Sequence, residues 1–164
     1  MPSAPKAISI ESQRQPVHPS IDESKIDALV RHFYGRVRED DELGPIFAQA
    51  ITGDWEPHLQ KIMDFWSSVL LKTGRYSGQP MQKHVALEQV RPEHFGLWLT
   101  MFEESAQALF EPEVARVFTE RAHLIARSLQ LGMFGMPGIP NRSADTKKTD
   151  PAKSDQPRNA NAGK

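Results

Sequence analysis

Cysteine is absent from this 164-residue chain. Disulfide bridges, thiolate metal sites and thiol catalysis are excluded with it. Net charge is nearly absent too: 20 Lys and Arg stand against 21 Asp and Glu, so neither a nucleic-acid surface nor an anionic-membrane surface is expected. No segment approaches the roughly 20 apolar residues of a membrane span, and the opening MPSAPKAISIESQ lacks the apolar run of a secretory signal. There is no glycine-rich phosphate cradle and no internal repeat. These absences lead us to expect a soluble, cytoplasmic protein of one domain, long enough to bury a core.

Both ends are poor in apolar residues. Residues 1–19 carry Pro2, Pro5, Pro16 and Pro19, and from Pro137 onward the chain is almost wholly Pro, Lys, Asp, Asn, Ser and Ala. Neither segment offers enough apolar surface to offset the entropy of ordering it. We therefore expect a disordered extension over 1–19, a folded region over 20–134 and a disordered tail over 135–164.

Within the folded region the apolar pattern has helical period throughout. Ser20 and Glu23 have capping-box spacing, and Ile26, Leu29, Val30, Phe33 and Val37 follow as a stripe. A turn is expected at 43-LGPIF-47, where Gly44-Pro45 breaks the helix. Asp54 is placed to cap the next helix, over 55–72, with Pro57 in a first turn that has no use for its missing amide. Its stripe is Trp55, His58, Ile62, Phe65, Trp66, Val69 and Leu70. Pro92 and Pro112 start two more helices. The first faces inward with Phe95, Trp98, Leu99, Phe102, Ala106 and Leu109, the second with Val114, Phe118, Ala122, Ile125 and Leu129. No segment alternates at period two, so the fold class is all-α.

Certain polar side chains sit badly in a plain bundle. His58 lies inside an apolar stripe, Tyr34 borders another, and His84 follows the loop 74-GRYSGQP-80 among Met81, Val85 and Leu87. Trp98 adds an indole N–H on an apolar face. Each alone reads as a core residue with its polar atom satisfied. Together they suit a flat apolar cofactor between helices with a metal at its centre. Haem fits: one neutral imidazole supplies the axial bond, and donors frame a small ligand opposite. Without C-x-x-C-H the haem would be held non-covalently, as haem b.

The motifs 33-FYGRVRED-40, 43-LGPIF-47, 55-WEPHLQKIMDFW-66, 76-YSGQPMQKH-84 and 97-LWLTMFEES-105 resemble, in this order, those of the truncated haemoglobins, and within them the third group. The resemblance spans about Ile21 to Met133. It implies a globin-like two-over-two helical sandwich with a very short proximal helix. It also implies His84 as proximal iron ligand, Tyr34, His58 and Trp98 on the distal side, Phe47 stacked on the haem and Ile62 packed over it. The double-glycine hinges of other truncated globins are missing, as the third group leads one to expect. His94, beside Phe95 and Trp98, is the rival iron ligand. Lys61, one turn beyond His58, is the candidate for a haem propionate, with Arg75 and Lys83 behind it. Met81, next to His84, is a further candidate haem contact.

Donors from Tyr34 and Trp98 would hold dioxygen tightly and slow its escape, which suits a carrier poorly. The expectation is therefore binding of dioxygen and other diatomic ligands with redox or detoxification chemistry on oxygen, nitric oxide or peroxide. Whether this amounts to a nitric-oxide dioxygenase or peroxidase-like enzyme stays open, as does the choice of His58 as gate or donor. An electron donor or reductase would be needed as partner. Two rivals remain. A carboxylate-bridged di-iron site needs Glu-x-x-His twice, and it occurs once, at Glu120 to His123. A cofactor-free all-helical interaction module would leave Tyr34, His58, His84 and Trp98 without a shared reason.

Overall fold

The computed structural model describes residues 15–135 apart from residue 86, and the side chains of Met81, Gln82 and Val85 are outside that description. The Met81 expectation and most of both expected tails thus lie outside the described residues. The described residues form six helices: α1 (Glu23–Glu39), α2 (Leu43–Ala50), α3 (Glu56–Leu70), α4 (Pro80–Val85), α5 (Pro92–Leu109) and α6 (Pro112–Phe134). Among the described residues there is no strand. None of these helices is long and apolar enough to cross a membrane.

The longer helices form two pairs. α1 packs on α3, α5 packs on α6, and α1 also packs on α5, joining the pairs. The short α2 docks on α1 and the short α4 on α6. The apolar stripes meet between the pairs, where Phe33, Phe102 and Phe118 are wholly buried. Each such ring contributes about 1.5–3 kcal/mol by leaving water. Rings of α3 and α5 stack through this core: Trp98 on Phe102 and Phe102 on Trp66, both at 5.2 Å between centroids and nearly parallel. Phe33 of α1 meets Phe102 edge-on at 5.2 Å.

Three local expectations need correction. The cap of α1 is Asp22, whose carboxylate accepts from the Lys25 N–H at 3.0 Å, and not a Ser20–Glu23 box. Glu23 instead reaches across to α3. Second, Gly44-Pro45 lies within a helix. Asp40 Oδ1 accepts from the amides of Glu42 and Leu43 at 2.9 and 2.8 Å, so α2 starts at once and Pro45 falls in its first turn, where no helical amide is needed. Gly44 is required there by space, because a Cβ would stand 2.9 Å from the Arg38 carbonyl oxygen. Third, Leu109 is exposed at the end of α5. Asp54 does serve α3 as expected, accepting from the Glu56 N–H at 3.0 Å. Ahead of α1, the Val17 N–H donates to the Leu70 carbonyl at 2.8 Å and its side chain packs on the core.

Candidate functional site

Two histidines compete for the metal, and their hydrogen bonds separate them. His84 ends α4, and its Nδ1 lies 2.7 Å from the Pro80 carbonyl oxygen. A carbonyl only accepts, so Nδ1 carries the proton and the Nε2 lone pair is free. His94 is buried in the first turn of α5, and its Nδ1 accepts from the Arg91 N–H at 3.0 Å. When neutral, that ring must carry its proton on Nε2, which leaves no lone pair for a metal. His94 thus caps α5, while the His84 ring has a carbonyl partner of the kind that ligating histidines use.

The other polar candidates meet on one side. Tyr34, buried on α1, contacts Phe33 at 4.8 Å, Phe47 at 5.7 Å and His58 at 6.3 Å between ring centroids. Burial pushes its phenol up to about 12. A hydrogen-bonding contact from the Trp98 indole works the other way. The hydroxyl therefore stays protonated, a standing donor. Trp98 is placed by its stack on Phe102 and an edge contact with Phe33 at 5.3 Å.

His58, half-buried on α3, stands edge-on between Tyr34 and Trp55, the latter at 5.8 Å. Burial lowers its affinity for a proton, and the electrostatic influence of Lys61, Lys83 and His84 lowers it further. It is neutral at neutral pH.

Phe47, Ile62, Phe65, Leu97 and Trp98 are only partly buried and pack against the core. An imidazole lone pair, partly exposed apolar side chains and neutral N–H and O–H donors fit the chemistry of a haem. Lys61 is exposed and forms no ion pair among the described residues, so it is free to meet an anionic group at the rim. Arg75 is not free: it pairs with Glu23 and Asp64. His32 and His123 are exposed, and no group of three or more potential metal ligands occurs among the described residues, which leaves the di-iron rival without a site.

Trp55 and Arg38 are additions. Trp55 completes the cluster around Tyr34, with Phe47 at 6.4 Å, and the Arg38 guanidinium lies 4.7 Å above its ring. Trp55 had been read only as one member of a stripe. Arg38 gave no signal, because its partner is distant in the chain.

A family model described as bacterial-like globin matches residues 22–129. The chain is 42% identical over 114 residues to the group 3 truncated haemoglobin of Campylobacter jejuni, covering 68% of this chain and 90% of that protein. It is also similar to the crystal structure of the group III truncated haemoglobin from Campylobacter jejuni, with a TM-score of 0.67 and 40% identity, over 71% of this chain and 94% of that one.

Proposed function

We infer the working of this site from the family to which the chain belongs: it is a bacterial-like globin, a truncated haemoglobin of the third group. The fold is the all-α two-over-two sandwich, and the family's function is haem-based binding of small ligands. On that footing we propose that the haem is haem b held by His84 through Nε2, with Pro80 fixing the ring. Phe47 and Ile62 line its faces, and Lys61 meets a propionate. The opposed tautomers of His84 and His94 carry this assignment. When bound, the haem supplies an iron with one open coordination position and a change of oxidation state.

The protein supplies the rest. Tyr34 offers a protonated hydroxyl from an apolar setting, where a hydrogen bond to the negative end of a diatomic ligand is strong. Trp98 adds a second donor. Neutral His58 fills the approach between Tyr34 and Trp55, as a donor or as a steric gate. Two donors at roughly 1.5 kcal/mol each slow ligand escape about a hundredfold. Such retention favours chemistry on dioxygen, nitric oxide or peroxide over oxygen carriage, and a redox cycle needs an electron donor or reductase as partner. The test is reconstitution. We expect haem uptake with an intense Soret band, a five-coordinate ferrous spectrum and slow oxygen release. A chain that takes up no haem would instead favour the cofactor-free helical module.

A further inference from the structure

We propose that the Glu23–Ser67–Arg75 cluster is a positioning device for His84, acting through the loop that delivers α4. This rests on the haem reading above. α3 ends at Leu70, and the chain reverses through Lys72 and Gly74, both with positive φ (60° and 67°). It then runs back along α3 and is fastened there residue by residue. Ser67 is completely buried, and its hydroxyl is fully used: it donates to Glu23 Oε1 at 2.8 Å and can accept from Arg75 at 2.7 Å and from Thr73 at 2.9 Å. The Arg75 guanidinium also pairs with Glu23, and its Nε lies 3.8 Å from Asp64. Next along the chain, the Tyr76 N–H donates to Ser68 Oγ at 2.9 Å, and its ring meets Phe65 edge-on at 5.3 Å.

Four residues after Tyr76 comes Pro80, whose carbonyl holds the His84 ring. A six-residue helix such as α4 has little stability of its own. It docks on α6, and the chain enters it from this fastened loop. The cluster therefore sets where Pro80 stands, and Pro80 sets where Nε2 points. The sequence offers Arg75 as a candidate propionate partner; its contacts with Glu23, Ser67 and Asp64 make it a positioning residue instead.

A plain stabilising clasp between α1 and α3 would lower the melting temperature and nothing else. A positioning role should alter the proximal bond itself. The test compares haem-loaded wild type with Arg75→Gln, Arg75→Lys and Glu23→Gln. Three quantities are read: the iron–histidine stretching band by resonance Raman, the rate of haem transfer to a scavenging apo-globin, and the rate of oxygen release. We expect Arg75→Gln and Glu23→Gln to shift and broaden the band and to speed haem loss roughly tenfold, the lower range for losing the support of a ligand. Arg75→Lys keeps the charge toward Glu23 and should recover part of both. Oxygen release, governed by the opposite side, should stay at the wild-type rate. A wild-type band and wild-type haem retention in Arg75→Gln, with only the melting temperature lowered, would overturn the inference. Failure of the wild type to take up haem would instead overturn the haem reading, and this inference with it.

Discussion

Replacing Tyr34 with Phe removes one oxygen atom and keeps the ring. The ring contacts to Phe33 at 4.8 Å and Phe47 at 5.7 Å are retained, so the pocket loses no apolar wall and haem retention should not change. What is lost is a donor from a site so dry that the phenol stays protonated to about pH 12. Hydrogen bonds to a charged partner contribute about 1.5–3 kcal/mol, and a ligand with partial charge falls at the lower end. At about 1.4 kcal/mol per decade, oxygen should leave roughly ten times faster. Trp98→Phe is a less clean probe, because the indole also stacks on Phe102 at 5.2 Å and abuts Phe33 at 5.3 Å. It should cost stability as well as ligand retention. The two substitutions should also be non-additive, since the Trp98 indole acts on the Tyr34 hydroxyl in the free pocket. Stopped-flow displacement of oxygen gives the rates. If Tyr34→Phe releases oxygen at the wild-type rate, the phenol does not touch the ligand and the distal assignment is wrong.

Four other outcomes are expected. His84→Ala should lose haem and regain part of it with added imidazole, while His94→Ala should keep the Soret band and lose only about 1 kcal/mol of stability with its cap; the reverse pattern would exchange their roles. If His58 is a gate, carbon monoxide rebinding after photolysis should quicken only as pH falls below the usual histidine range, because burial and the electrostatic influence of Lys61, Lys83 and His84 hold its protonation down, and His58→Leu should abolish that dependence; a pH-independent wild type would favour the donor role. In the alkaline range the unfolded chain ionises Tyr34 near pH 10 and the folded chain only near 12, so stability should fall by on the order of 2–3 kcal/mol between those values, as denaturant titration of wild type against Tyr34→Phe would show. Beginning the chain at Gln15 and ending it at Gly135 should preserve haem uptake and melting temperature, whereas beginning it at Ser20 should lower the melting temperature by removing the Val17 bond to Leu70.

The helices were legible because their signals are local. Ile26, Leu29, Val30, Phe33 and Val37 recur at helical period, and Pro92 and Pro112 mark the first turns of α5 and α6. Errors arose where one local rule met a competing local group. Gly44-Pro45 reads as a breaker until Asp40 is seen capping the amides ahead of it, after which proline is harmless and glycine is what lets α2 press on the end of α1. Glu23 reads as a capping-box partner until Ser67 and Arg75 offer it better bonds across the fold. Neither partner lies within helical reach along the chain. Arg75 and Arg38 were misjudged or missed for the same reason: pairing with a carboxylate or a ring from another helix leaves no periodic trace.

The choice between His84 and His94 is a case where the deciding physics is also local. Both follow a proline that opens a helix, and both have apolar neighbours. Their positions relative to the helix ends differ. His94 stands three residues after the cap residue Arg91, where amides are unpaired, so its Nδ1 is drawn into accepting and the proton moves to Nε2. His84 stands four residues after Pro80, and its Nδ1 lies 2.7 Å from the Pro80 carbonyl oxygen, one turn back along α4. Its Nδ1 is drawn into donating, and the lone pair is left on the outward nitrogen. The backbone partner thus sets the tautomer: an amide turns the His94 Nδ1 into an acceptor, a carbonyl turns the His84 Nδ1 into a donor, and only the second leaves Nε2 with a lone pair.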